Sequence, residues 1–230
     1  VMEFFDSLIK RALENTQGLS EINYNYNPDN AWTDVGVNQV ILQKHSAFEL
    51  KGTGFNLITS SPVTDGITVI GKELADIKKD CSFTRISIIQ IEDTQDEQKL
   101  YNLIRKTEYV KYHYFPDGYM IRTSSRSHKE AVRVSKDAIK KGISFQNAGN
   151  LLINKYKENP AVRGVRVIFI TSPEADHKAF EEIAQKNNAI TETLNHIMNN
   201  VNFDCDTCNL KPVCDEVEGM RELHFRNKGM

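Results

Sequence analysis

Apolar residues in the first sixteen positions recur at helical spacing. Phe4, Phe5, Leu8, Ile9, Ala12 and Leu13 share one face, and Gly18 stands just beyond as a C-terminal cap. The spacing predicts a helix over 3–16 that buries one side. The period then lapses over 20–36, SEINYNYNPDNAWTDVG, which reads as a loop or short irregular strands. From 38 to 70 the pattern shortens to alternation and β-branched runs (VNQVIL, FNLITS, ITVIG), broken by Gly52, Gly54, Pro62 and Gly66. That predicts strands joined by turns. TRISIIQI at 84–91 is the clearest buried strand.

Helical spacing returns with Leu100, Leu103 and Ile104 after a capping box at Thr94 and Glu97. Residues 107–126 mix aromatics with basic residues and end in a run of hydroxyls. A second capping box, Ser127 and Glu130, predicts a helix carrying Ala131, Val134, Ala138 and Ile139 as far as Gly142. A helix over 144–158 stopped by Pro160, a strand over 163–171 and a long helix over 174–199 complete the body. Several adjacent strands in the first half and a strand–helix–helix–strand passage in the second argue for an α+β fold. In it, mixed α/β layers form around a mixed β-sheet packed with helices. The expected organisation is an α/β domain over 1–200 and a cysteine-rich segment over 201–230.

The chain has 230 residues, 40% of them hydrophobic and 26% charged, enough for one large domain or two small ones with a sizeable core. No apolar run reaches the roughly 18 to 20 residues of a membrane span. With three of the four cysteines clustered rather than spread as a disulfide scaffold, a reducing, cytoplasmic setting is expected, and Cys81 reads as a buried thiol. Charge is uneven: from 122 to 166 eleven Lys/Arg face three Asp/Glu, whereas from 203 to 224 two face six. The basic stretch is where an anionic partner would sit, with a solvated surface as the other reading.

Within that stretch, Thr123, Ser124, Ser125 and Arg126 are expected at a helix N-terminus, with Arg133 and Lys136 one and two turns in. Free N–H groups and guanidinium groups would there favour the phosphates of coenzyme A or a nucleotide. Gly52-Thr53-Gly54 could approach a phosphate, and a hairpin turn explains it equally well.

The candidate metal chemistry lies in 203–225, FDCDTCNLKPVCDEVEGMRELHF. Two residues separate Cys205 from Cys208, five lead on to Cys214, and nine more to His224. A C-x-x-C pair sets two thiolates on one cation, and Lys211-Pro212 favours a turn that brings Cys214 within reach. A redox pair or unrelated thiols are the other readings. A thioredoxin-like pair, however, would open a helix after an early strand rather than follow a long helix. His224 is a candidate fourth ligand. One continuous helix over 215–225 would carry it about 15 Å along the axis from Cys214, so a break at Gly219 would be needed. Asp204, Asp206, a second chain and an exogenous ligand are the alternatives. Zinc would accept a Cys3His set, whereas a 4Fe-4S cluster with one non-cysteine ligand leaves an iron open to chemistry.

From about Ile67 onward, TVIGKELADI, LIRKTEYVKYHYFPDGYM, AVRVSKDAIKKGISFQNAGNLLINKYKENPAVRGVRVIFIT and the cysteine segment follow one another in an order that resembles the acetyl-CoA synthase β-subunit family of the carbon monoxide dehydrogenase/acetyl-CoA synthase complex. The resemblance implies that Arg133, Val134, Ser135 and Lys136 lie on a helix and that the cysteines are the first ligands of a nickel- and iron-containing cluster. The chain departs from the family in four respects. The gap to Cys214 is shorter, His224 stands where the family has its fourth cysteine, Ala131 replaces a tryptophan associated with coenzyme A, and the Cys-Gly-Cys that holds a nickel is absent.

Acetyl-CoA synthesis by this chain alone is therefore not expected. The expectation is an iron–sulfur (4Fe-4S) protein with a redox or accessory role in anaerobic one-carbon metabolism, whose partners are corrinoid or carbon monoxide dehydrogenase-type proteins rather than membranes or nucleic acid. The alternative is a zinc-stabilised, non-catalytic module that binds coenzyme A, a nucleotide or RNA.

Overall fold

The computed structural model describes residues 2–36, 40–92, 94, 96–124, 128–198, 208 and 210–212. The amphipathic start forms helix α1, Met2–Glu14, burying Phe5, Leu8 and Ala12. The Asn/Tyr-rich stretch supplies strand β1, Glu21–Asn25. Strands β2 (Ser46–Thr59), β3 (Gly66–Ile70) and β4 (Cys81–Ile91) follow, then helix α2, Glu97–Tyr112. Strands β5 (Tyr119–Thr123) and β6 (Lys129–Ser135) lead to helices α3 (Lys136–Lys141) and α4 (Phe145–Lys157). Strand β7 (Val162–Ile170) and helix α5 (His177–Met198) end the body.

The seven strands make one mixed sheet in the order β1-β3-β7-β4-β2-β6-β5, so the α+β architecture is as the sequence predicts. The central pairs β2–β4 and β3–β7 are parallel; the others are antiparallel. Successive strand residues point to opposite faces, and β4 shows which helix covers which. Thr84 meets His177 at the start of α5, whereas Ser87, three positions on, meets Tyr156 of α4. Thus α5 and α4 lie on opposite faces. The α4 face also carries an aromatic stack, Phe145 against Phe169 at 4.5 Å between ring centres and against Phe83 at 6.1 Å. Each such ring, fully buried, contributes about 1.5–3 kcal/mol. A capping box between Ser144 and Asn147 starts α4 where the sequence places it.

Three expected elements differ. The run VNQVIL yields no strand among its described residues, and β2 instead runs unbroken through Gly52 and Gly54. A Cβ on Gly52 would come within 1.6 Å of the Phe83 carbonyl oxygen, so these glycines serve close packing inside a strand, neither a turn nor a phosphate loop. Helix α2 is capped by Asp96, which accepts from the Lys99 N–H, and the expected Thr94–Glu97 box gives way to it. The third difference is the largest: 129–135 is a strand, and the helix begins only at Lys136, capped by Ser135. Its residues alternate, with Glu130, Val132 and Val134 buried and Lys129, Ala131 and Arg133 outward, a period of two that pairs with β2. Tertiary pairing overrides the helical spacing of Ala131, Val134 and Ala138.

Candidate functional site

Strand β6 leaves β2 after the pair Thr53↔Lys129, and α2 stands at the vacated flank, touching β2, α4 and α5. Polar groups gather at this junction. Arg85 of β4 reaches across β2 to Glu130 of β6, Nε to Oε1 at 2.9 Å and Nη2 to Oε2 at 2.7 Å, while its Nη1 donates to Ser87 at 3.0 Å. Both side chains of this fork are buried. Gly54 makes the crossing possible, because a Cβ there would sit 2.0 Å from Glu130 Oε2. Burial opposes the charge on Arg85, but the Glu130 carboxylate outweighs it and holds the guanidinium above its ordinary value. The network continues through Tyr156, whose hydroxyl donates to Asn56 Oδ1 (2.8 Å) and lies in hydrogen-bond contact with the Ser87 hydroxyl (3.2 Å), and Asn56 donates to the Thr107 carbonyl of α2.

Beside the fork lies a cavity of about 380 Å3 between α2 and α5, walled by Arg105, Glu108, Lys111, His128, Asn187 and Glu192. Lys111 keeps 2% of its side-chain surface, and its Nζ is 4.0 Å from Glu108 Oε2. Burial pushes the Lys111 ammonium down, against the pull of Glu108 and Glu130 and with a further push from Arg85. Burial likewise raises the Glu108 carboxyl, opposed by Lys111 and Arg85. His128 holds φ at +51°, a left-handed conformation uncommon outside glycine and asparagine. Its carbonyl accepts from Thr53 Oγ1 (2.7 Å) and the Gly54 N–H (3.3 Å), which ties the turn before β6 to β2. Burial pushes the imidazole down to about 4, helped by Lys111.

A wider cleft of about 660 Å3 opens on the α5 face of β2, β5 and β6. Lys51, Arg122, Lys129 and Lys178 supply its cations, with Ser124 and His177 beside them and Glu181 as an opposing charge.

Of the basic residues expected at a helix N-terminus, Arg133 and Lys136 do not stand one and two turns into a helix. Thr123 ends β5 and Ser124 donates its N–H to the Lys129 carbonyl, so neither stands at a helix N-terminus, and Ser125 lies outside the described residues. Arg133 is on β6 opposite Glu49, with Nε 3.4 Å from the carboxylate, and Lys136 is the first residue of α3 rather than two turns into a helix. Arg126 lies outside the described residues, as do Cys205, Cys214 and His224. Cys208 is half-buried, and its carbonyl accepts from the Lys211 N–H at 3.2 Å, closing a turn. Among the described residues no group of three or more His, Cys, Asp and Glu side chains is arranged to hold a metal.

Lys111 and Glu130 carried a signal that was legible beforehand: each is a charge at the buried position of a regular pattern, Lys111 on the stripe of Leu100, Leu103, Ile104 and Thr107, and Glu130 in register with Val132 and Val134.

Residues 38–175, from before β2 through the end of β7, match the family described as the CO dehydrogenase/acetyl-CoA synthase complex beta subunit. The chain belongs to that family. The matched region contains the Arg85–Glu130 fork, Lys111 and the strands of the basic cleft, and stops short of α5 and of Cys205, Cys208 and Cys214. The chain is also 25% identical over 204 residues to the carbon monoxide dehydrogenase/acetyl-CoA synthase subunit alpha of Moorella thermoacetica, a match that covers 80% of this chain and 26% of that protein. It thus spans about a quarter of the length of that relative. No described helix is long and apolar enough to cross a membrane.

Proposed function

We propose that this chain is a metal-binding protein of the CO dehydrogenase/acetyl-CoA synthase family. In this reading residues 1–200 form its α/β domain, and the segment over 201–230 holds an iron–sulfur cluster through Cys205, Cys208 and Cys214, with His224 as the candidate fourth ligand. Three thiolates within ten positions are a donor set suited to a 4Fe-4S cluster, which would supply one-electron chemistry and an iron open to exchange. The observation that carries the reading is this spacing in a chain whose body belongs to the family. The half-buried Cys208 and its turn are in keeping with it. The protein then serves as a redox or accessory component of cytoplasmic one-carbon metabolism, with carbon monoxide dehydrogenase-type or corrinoid proteins as partners. Anaerobic purification with metal analysis tests this: brown protein with iron and sulfide supports it. Colourless protein with stoichiometric zinc, or no metal, overturns it.

The basic cleft favours a second reading, a zinc-held module that binds a phosphate-bearing ligand such as coenzyme A, a nucleotide or RNA. Lys51, Arg122, Lys129 and Lys178 line this one cleft, which suits an anion, whereas Arg133 is paired with Glu49. Calorimetric titration with coenzyme A and ATP at low salt separates the readings, since a Kd weaker than about 1 mM leaves the cleft a solvated surface.

A further inference from the structure

Lys111 falls on the core-facing stripe of α2, eleven positions after Leu100, where an apolar residue is the rule. Among the described residues, lysines in the other ion pairs keep between 33% and 80% of their side-chain surface, whereas Lys111 keeps 2%. A long amine normally snorkels to water. Here it lines a cavity of about 380 Å3, the small end of the range for ligand pockets, and shares it with the Glu108 carboxyl, 4.0 Å away. We infer that Lys111 is a nucleophilic amine that condenses with a small aldehyde or α-oxo acid entering the cavity between α2 and α5, with Glu108 as its proton carrier.

The chemistry balances within those groups. The Lys111 nitrogen adds to the carbonyl carbon, the resulting hydroxyl leaves as water, and a C=N bond replaces the C=O bond. Glu108 gives one proton to the departing hydroxyl and recovers one from the nitrogen, so the net reaction is amine plus carbonyl to imine plus water. The charges around Lys111 set how readily its ammonium gives up a proton. Glu108 on its own helix and Glu130 on the sheet favour the ammonium, Arg85 disfavours it, and burial disfavours it most. His128, held neutral at ordinary pH, adds no competing positive charge, and Arg105 at the cavity wall suits the carboxylate of an oxo acid.

The test uses anaerobically purified full chain, glyoxylate as the probe carbonyl and cyanoborohydride to trap the imine as a stable secondary amine, with peptide mass spectrometry reading each lysine. At pH 7 Lys111 should label faster than the median surface lysine, because burial lowers its pKa and leaves more of it as the neutral amine. In Lys111→Met, whose fold is checked by its thermal transition, that adduct vanishes and the rest persist. In Glu108→Gln the pH midpoint of Lys111 labelling moves down, because a carboxylate that favoured the ammonium is gone. Labelling of Lys111 no faster than that of surface lysines overturns the proposal. So does a midpoint unmoved by Glu108→Gln, which would show that Glu108 is not coupled to the Lys111 amine. The wild-type map decides even if a variant fails to fold.

Discussion

The Arg85 guanidinium meets the Glu130 carboxylate directly over the α carbon of Gly54, so a pair joining β4 to β6 depends on a missing side chain in the strand between them. Its side chains are 1% and 0% exposed. Removing one partner strands a buried charge, at a cost of about 3–5 kcal/mol, while removing both together costs far less. Urea unfolding of Glu130→Ala should show a loss in that range, and Arg85→Met combined with Glu130→Leu should recover most of it. Equal destabilisation in the single and double variants would contradict the coupling.

Gly54→Ala follows from the same geometry. A Cβ within 2.0 Å of Glu130 Oε2 forces the carboxylate aside, and such overpacking costs about 1–3 kcal/mol. In a Glu130→Ala background the same change should be much milder. A cycle of the four proteins reads the difference, and additive effects would show that Glu130 is not what Gly54 accommodates.

The His128 imidazole, pushed from 6.5 to about 4, binds fewer protons in the folded chain than in the unfolded one. A group lowered in this way favours folding above about pH 6.5 and loses that contribution as pH falls toward 4. Allowing for water at the cavity mouth, the loss is on the order of 1–2 kcal/mol. Comparing urea midpoints at pH 7 and pH 4.5 for wild type and His128→Asn tests it, asparagine being tolerant of the +51° φ. The pH dependence should shrink in the variant.

Arg133 is held by Glu49, whereas Arg122 and Lys129 line the open cleft. If the cleft binds coenzyme A, Arg122→Ala and Lys129→Ala should each weaken binding about three- to tenfold at low salt, and Arg133→Ala should leave it nearly unchanged. Calorimetry supplies the ranking. Arg133→Ala as the most damaging of the three would move the site.

Cys208→Ser should remove most bound metal, and Cys81→Ser, at the start of β4 and outside the cysteine cluster, should not. Because the sheet and its helices carry their own apolar core, the metal-free protein should keep its cooperative thermal transition. Elemental analysis and circular dichroism check both outcomes, and collapse of the transition on chelation would tie the core to the metal.

The sequence by itself determined the elements whose period is set by their own burial. Helix α1, strands β3, β4 and β7, and helices α4 and α5 lie close to where apolar spacing and caps place them, because one face of each meets the core. The mixed sheet followed from their order, and the family from motifs strung along them. Only the tertiary structure decided 129–135. Ala131, Val134 and Ala138 satisfy a helical stripe, and Glu130, Val132 and Val134 satisfy a strand; pairing with β2 selects the second. That choice carried Arg133 onto a sheet beside Glu49 and left the basic cleft on the opposite face from the Arg85–Glu130 fork. Gly52 and Gly54 read locally as breaks, since nothing in their own stretch reveals that Phe83 and Glu130 will approach from neighbouring strands. Lys111 stood on its apolar stripe from the start, but the groups that set its charge, Arg85, Glu108 and Glu130, come from three elements that only folding brings together.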